Sequence, residues 1–357
     1  MSKVIVFTCA YNAEKTITRT IESVINQTYG NIAYYIVDNG STDATGDIIS
    51  AYASSDERIY KISIFENDLK YYSVMFSLLR RCHRRDAEWI TIIDADDTWT
   101  VDYLEKMVGF AEVNDLPFVM CGYDQIDDKT GKILKHRVAP APLIICREDY
   151  VDQYINFRGF TLAMWGKLYR LEDFGDGAYM FSSNYYMYGD TRGIYKILNY
   201  LNRFGVYPEA MYNYYIHENA YTFNSIDEVV ENFEDLYGIS RGFLKNQGEI
   251  SNLNQNFLYA IYLTSVQDTV SLVLRSSLSQ PNKLALISKI FYKPLLHEVF
   301  KFKNIDQTIN KMVTREEVID DVVGAIGSLN IKNEYRIMYE RILAEYRILK
   351  GYLSSNT

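Results

Sequence analysis

The sequence predicts an α/β fold, a doubly wound and mostly parallel sheet followed by a helical C-terminal unit, on three observations. Over about the first 120 residues, short β-branched runs alternate with amphipathic helical stretches. Polar, acidic loops follow successive strand-like runs, as expected where strand ends face a ligand crevice. Beyond Ile226 the strand-like alternation fades and helical patterns take over.

Val4–Cys9 reads as a strand buried on both faces. Glu14–Gln27 places Ile17, Ile21, Val24 and Ile25 at helical spacing. Ile32–Val37 is a second strand, and Ser41-Thr42-Asp43 opens a second helix with N-capping chemistry. Next come strand Ile59–Phe65, a helix around Tyr72–Arg84, strand Trp89–Ile93, helix Asp102–Val113 and strand Phe118–Cys121. Between Glu148 and Tyr221 the pattern weakens and tyrosines accumulate, which predicts an insertion beside the sheet rather than more winding. The final helix carries Tyr335, Met338, Tyr339, Ile342, Tyr346, Leu349 and Leu353 along one stripe. That stripe either completes a core and roofs a cleft or builds a homodimer, with the dimer slightly favoured.

At 357 residues and 48% hydrophobic, the chain exceeds one usual core, so two units are expected, 1–225 and 226–357. A net charge of -9 and no long basic run argue against a nucleic-acid partner. Cys9, Cys82, Cys121 and Cys146 lie far apart and form no CxxC pair, so neither zinc nor a disulfide framework is indicated. Met1-Ser2-Lys3-Val4 enters a strand directly and lacks the zones of a signal peptide. No apolar run is read as reaching the roughly 18 residues that cross a bilayer, Val270–Leu274 stopping at Arg275. A cytoplasmic protein is therefore expected, with room for peripheral association at the inner face of a membrane.

Ile92-Ile93-Asp94-Ala95-Asp96-Asp97 packs three carboxylates into four positions at the end of an apolar strand. Such a cluster repels itself unless a cation or protons relieve it. Hard cations such as Mg²⁺ or Mn²⁺ accept a carboxylate or two and fill their other positions with phosphate oxygens and water. A solvated acidic turn ahead of a helix is the plain alternative. Two further loops, Cys9-Ala10-Tyr11-Asn12-Ala13 and Asp38-Asn39-Gly40-Ser41-Thr42-Asp43, follow the first and second strands. In an open α/β sheet these loops share one crevice, where Asp38 can accept from a base or ribose while Asp94 and Asp96 hold the phosphate end.

Tyr11-Asn12-Ala13-Glu14, Ser23-Val24-Ile25-Asn26-Gln27-Thr28-Tyr29, Asp38-Asn39-Gly40-Ser41-Thr42-Asp43 and Asp94-Ala95-Asp96-Asp97 stand in order and spacing over about the first 120 residues. In this the chain resembles the inverting family-2 glycosyltransferases of GT-A fold. Trp165-Gly166-Lys167-Leu168-Tyr169 is similar to the family's NKLY segment, and Tyr212–Tyr221 to its YxYR…NS segment. The resemblance implies a nucleotide-sugar-binding part in 1–120 and an acceptor side in 121–225. It implies donor contacts from Ala10, Tyr11, Asn12, Glu14, Asp38, Asn39, Asp94 and Ala95, with Asp38 at the base, uracil by expectation, and Asp94 at the ribose or sugar. It implies a Mn²⁺ or Mg²⁺ ligand at Asp96, a ligand at His217, and support from Asp97, Trp165 and Lys167. Asp190 in Tyr188-Gly189-Asp190-Thr191 would be the catalytic base, although Gly189 stands where the family has an acidic residue. The family's Arg-bearing motif before the acidic loop has no counterpart in Tyr72–Ser77, leaving Lys70 or the Arg80–Arg85 cluster to replace it. The expected partners are a nucleoside-diphosphate sugar and a glycan, lipid-linked or protein-linked acceptor. A non-catalytic nucleotide-sugar-binding subunit of another transferase is the second reading.

Overall fold

The computed structural model describes residues 1–64, 87–174, 188–217, 226–310, 314–327 and 335–354. The helix expected at Tyr72–Arg84, Cys82, Lys70, the Arg80–Arg85 cluster, the Tyr72–Ser77 segment, Tyr221 and most of the tyrosines of Tyr179–Tyr188 lie outside them. Two compact units are present, Met1–Ala220 and Tyr221–Thr357.

The first unit is built on β1 (Val4–Ala10), β2 (Ile32–Asn39), β3 (Ile59–Ile64), β4 (Trp89–Ile92), β5 (Thr98–Trp99), β6 (Phe118–Asp127), β7 (Ile133–Arg137), β8 (Leu143–Cys146), β9 (Lys167–Arg170) and β10 (Arg203–Ile216). Their order is β3-β2-β1-β4-β9-β6-β10-β5, with β7 beside β6 and β8 beside β10. The β3-β2-β1-β4 half is parallel throughout, and β10 runs parallel to β6. The strand β9 is antiparallel to both β4 and β6. The sheet is thus mixed: its β3-β2-β1-β4 half is parallel, as the sequence predicts, while β5, β7, β8 and β9 pair antiparallel to their neighbours. Near-continuous burial along β1 and β2 explains their unbroken apolar runs.

Helices α1 (Ile17–Ile25), α2 (Thr45–Ser55), α3 (Tyr103–Val113) and α4 (Gly189–Tyr200) accompany the strands. Ile17, Ile21 and Val24 of α1 and Tyr103, Leu104 and Met107 of α3 join Val4, Val6, Tyr34 and Ile36 in one core. The polar side chains of the Ser23–Tyr29 segment hold these elements together. Gln27 Nε2 donates to Thr100 O at 2.7 Å, and its Oε1 accepts from Leu104 N at 3.0 Å, satisfying a free amide at the start of α3. The start of α2 differs from the predicted Ser41–Asp43 cap: its N-cap is Ala44, which offers no side-chain acceptor. Glu14 Oε2 instead accepts from Ala44 N at 3.1 Å, and Asp43 Oδ1 accepts from Thr45 N at 3.0 Å.

The region read as an insertion is part of the sheet. The strand β9 fills the gap between β4 and β6, and the fourteen residues of β10 run along β6. Alternation is hard to read in β10 because tyrosine, with an apolar body and polar tip, serves on buried and half-buried faces alike.

The second unit holds α5 (Ile226–Asn232), α6 (Asp235–Gln247), α7 (Asn252–Arg275), α8 (Gln280–Phe291), α9 (Pro294–Lys301), α10 (Arg315–Gly327) and α11 (Arg336–Ser354), with one further turn at Gln307–Asn310. The reading that no segment is long and apolar enough to cross a membrane is corrected by α7, which meets that test by length and composition. Its Leu258, Tyr262, Val266, Val270 and Val273 are buried, and it packs against α6, α8 and α10. Length and hydropathy therefore have a simple cause here, a central helix covered on several sides. In the final helix Ile342 and Leu349 are buried, and α11 packs on α8, α9 and α10 of its own unit. Tyr335, Met338, Tyr339, Tyr346 and Leu353 of the same stripe are half-buried.

Candidate active site

Parallel strands carry their following loops to one edge, and β1, β2 and β4 are neighbours. Ala10 pairs in register with Asp38 at the shared end of β1 and β2. Asp94 follows β4 by two residues, with Ile93 N donating to Phe7 O at 3.0 Å. Two strand spacings of about 4.8 Å set Asp38 and Asp94 roughly 10 Å apart across the sheet.

The first two loops are stitched to each other. Asn12, at φ 49°, accepts on Oδ1 from Thr42 N at 2.8 Å, and its own amide donates to Ser41 Oγ at 3.1 Å. Asn is among the residues that tolerate this left-handed conformation. Glu14 N donates to Asp43 Oδ2 at 3.1 Å; with its carboxylate on Ala44 N, Glu14 has a bracing position. Asp38 Oδ1 accepts from Ser41 N at 3.1 Å, closing the turn that Gly40 makes at φ 77°. Ala10 and Asn39 are buried, while Tyr11 is 45% exposed beyond them. This leaves an aromatic face and the partly exposed Asp38 at the edge.

The acidic loop separates its carboxylates by environment. Asp97 is fully buried: Tyr212 Oη donates to its Oδ2 at 2.7 Å and Tyr215 N to its Oδ1 at 2.9 Å. Burial, with the charges of Asp96 and Asp94, still pushes its carboxyl well above the usual range. Asp97 thereby pins the loop to β10. The same Tyr212 oxygen accepts from Asp94 N at 3.1 Å. Asp94 and Asp96 are partly accessible, as is Ala95 between them. Burial first, then the charges of Asp96 and Asp190, raise Asp94. Asp96 is raised by burial against the lowering effect of His217 and Arg19. Tyr212→Phe is expected to leave Asp94 N and an Asp97 oxygen unmatched and to destabilise the fold by about 1–3 kcal/mol. Urea unfolding measures this; an unchanged midpoint would remove the bridging role.

On the other flank, Trp165 stacks on Tyr212 with ring centroids 4.3 Å apart and on Tyr214 at 5.4 Å. Gly166 follows at φ 66°, beside Cys121 Sγ and the Tyr212 ring. Lys167 is buried, its Nζ donating to Trp165 O at 2.7 Å, and burial brings its ammonium down to about 8 against the opposing pull of Cys121 and Asp190. Asp190 lies in the first turn of α4, where the helix dipole favours an anion. Its Oδ2 accepts from Met164 N at 3.4 Å. Burial raises Asp190 to about 6, opposed by that amide and by Lys167. Asp190 is also near enough for its charge to disfavour charge on Asp94.

His217 directly follows β10 and sits beside the same loop. Its Nε2 is 3.3 Å from Asp96 Oδ2, and its Nδ1 is 3.1 Å from Asp128 Oδ2. Nε2 is buried and has no hydrogen-bond partner among the described residues, so this nitrogen is available to a cation held beside Asp96. Among the described residues no three His, Cys, Asp or Glu side chains form a ready cage. One carboxylate and one imidazole fit a Mn²⁺ or Mg²⁺ whose remaining positions come from diphosphate and water.

Sequence reasoning missed Arg19, Asp128 and Tyr212. Arg19 Nη2 and Nε donate to Asp96 O at 2.6 and 3.1 Å, and Nη1 to Asp128 Oδ1 at 2.5 Å. Arg19 looks like a solvent-facing residue in an amphipathic helix, and Asp128 like a hairpin-turn residue. No periodicity signals their pairing. A surface groove of about 500 Å³ lined by Lys106, Phe110 and Tyr207 holds none of these residues.

The Glycosyl transferase family 2 profile matches residues 5–181. An uncharacterized glycosyltransferase of Haemophilus influenzae is 30% identical over 236 residues, 60% of this chain and 65% of that protein. The Escherichia coli UDP-Glc:alpha-D-GlcNAc-diphosphoundecaprenol beta-1,3-glucosyltransferase WfaP is 32% identical over 125 residues, 34% of this chain and 47% of that protein. Each match thus spans less than two thirds of the relative's own length. The structure of S. aureus TarS 1-349 in complex with UDP-GlcNAc superposes with TM-score 0.54 at 14% identity, covering 99% of this chain and 92% of TarS. That likeness concerns the fold, which is GT-A with a helical C-terminal region. Since the profile runs from β1 through the acidic loop to β9 and just beyond, the chain belongs to glycosyl transferase family 2.

Proposed function

We propose that this chain is an inverting glycosyltransferase that moves a sugar from a nucleoside diphosphate, UDP first among candidates, to a hydroxyl of a glycan, lipid-linked or protein-linked acceptor. One observation carries the reading: Asp94, Asp96, Asp190 and His217 gather beside Asp38 at the carboxyl edge of a parallel sheet. Carboxylates whose affinity for protons is raised by burial, and in Asp94 also by neighbouring carboxylates, are poised for a cationic partner or for proton transfer.

In this reading Tyr11 stacks on the base, Asp38 accepts from it, and Ala10, Asn12 and Asn39 shape the pocket around it. Asp94 accepts from ribose or sugar hydroxyls. Asp96 and His217 hold the divalent cation, and Asp97 keeps the loop in place. When bound, the Mn²⁺ or Mg²⁺ ion supplies positive charge to the departing diphosphate. Asp190 accepts the proton of the acceptor hydroxyl as that oxygen attacks the anomeric carbon opposite the leaving group, so the configuration inverts. Buried Lys167 and the Met164 amide hold Asp190 in its ionised form more often than burial alone allows.

The E. coli relative's name specifies UDP-Glc and a lipid-diphosphate-linked acceptor, which supports testing UDP-sugars and lipid-linked acceptors first. A panel of nucleotide sugars, each with and without Mn²⁺, tests the whole. The right donor at 100 times its Kd raises stability by about 2.7 kcal/mol, only with cation present. If no nucleotide sugar stabilises the protein in a cation-dependent way, the reading falls. Stabilisation without donor hydrolysis or transfer to any acceptor would instead favour the non-catalytic binding subunit.

A further inference from the structure

Three elements far apart in sequence meet around His217, and their contacts follow a consistent chemical logic. Asp128, at the turn after β6, shares its two carboxylate oxygens between separate partners: Oδ1 with Arg19 Nη1 at 2.5 Å, Oδ2 with His217 Nδ1 at 3.1 Å. Arg19 is itself fixed. Its other nitrogens bond Asp96 O, and its guanidinium lies 3.9 Å from the Tyr215 ring centroid. The backbones of Asp128 and His217 are joined too, since Asp128 N donates to Ile216 O at 3.2 Å.

We propose that Asp128, anchored by Arg19, is a positioning residue that accepts a hydrogen bond from Nδ1–H of His217 and leaves Nε2 as a bare lone pair beside Asp96. This inference rests on the cation-binding reading above. A neutral imidazole carries one N–H and one acceptor nitrogen, and the group facing one nitrogen decides which tautomer is held. A carboxylate can only accept, so Asp128 selects Nδ1–H. The other nitrogen, although 3.3 Å from Asp96 Oδ2, makes no hydrogen bond among the described residues. Carboxylates in this outer position fix ring orientation and raise the basicity of a metal-binding imidazole.

The same Arg19 couples both sides of the site. It holds the Asp96 main chain with one edge of its fork and the Asp128 carboxylate with the other. Asp96 and His217 therefore share one rigid anchor on α1, and their relative placement is set before any ligand arrives.

Asp128→Asn tests the inference with little change of shape. The amide oxygen can remain on Arg19, which turns the NH₂ toward Nδ1 and forces the ring proton onto Nε2. With four histidines in the chain, ¹⁵N spectra of the metal-free protein can report the His217 tautomer directly. The expected result is Nδ1–H in the wild type and Nε2–H in D128N. Mn²⁺ affinity measured by electron paramagnetic resonance at fixed UDP is expected to weaken roughly 10- to 100-fold in D128N, as in His217→Ala, while UDP affinity in EDTA is unchanged in both. A wild-type His217 protonated on Nε2, or D128N binding Mn²⁺ like wild type while H217A does not, would overturn the inference. Unchanged Mn²⁺ affinity in H217A would instead remove the ligand role on which it rests, whatever the tautomer.

Discussion

Asp190→Asn is expected to lower kcat roughly 10²- to 10⁴-fold, the usual contribution of a general base, with donor affinity within about twofold of wild type. The amide keeps the size of the carboxylate and can still accept from Met164 N, so folding has no reason to suffer. What it cannot do is take a proton. The pH profile provides a second check. Asp190 is held up to about 6, chiefly by burial. Its protonated form has no free electron pair for the acceptor proton, so kcat rises as pH increases through about 6 and levels above it. In D190N that limb disappears from whatever rate remains. Rapid-mixing transfer assays across this range, beside donor titrations, measure both. Transfer at the wild-type rate would remove Asp190 from the role of base.

Asp96→Ala carries the other large effect, with a signature that separates a functional carboxylate from a structural one. Loss of one ligand to the cation is expected to abolish cation-dependent donor binding and to reduce kcat/KM by on the order of 10³, about 4 kcal/mol. Stability in EDTA should move the opposite way. In the metal-free protein Asp96 is disfavoured as an anion by burial and raises the carboxyls of both Asp94 and Asp97. Removing it relieves that repulsion, while Arg19 still holds the main-chain oxygen of residue 96. The melting temperature of D96A in EDTA is therefore expected to equal or exceed that of wild type. A variant both inactive and less stable would identify Asp96 as part of the scaffold. Asp97 offers the contrast: buried and bonded to Tyr212 and Tyr215 N, it belongs to the scaffold by position.

The two halves of the site were unequally legible from sequence. Asp38, Asp94 and Asp96 announce themselves because each follows an apolar strand in a βα pattern, and a parallel sheet brings all such loops to one edge. Asp190 could be named only through resemblance; its neighbourhood depends on β9, a short strand set antiparallel between two others. The tyrosine-rich stretch showed the opposite difficulty. Its composition suggested a surface insertion, yet Tyr212 is wholly buried and holds two members of the acidic loop.

The order of residues by itself determined the alternation of strands and helices, the parallel half of the sheet, the acidic loop at its edge and the helical second unit. Periods of two and of about 3.6 are local, and burial of one face writes them directly into neighbouring positions. Only the tertiary structure decided that β9 and β10 join the sheet, that Ile342 and Leu349 of α11 are buried within its own unit, and that Arg19, Asp128 and His217 meet Asp96. Those pairings link residues as distant in sequence as Asp96 and His217, and a charged side chain looks the same in sequence whether it faces water or a partner brought to it by the fold.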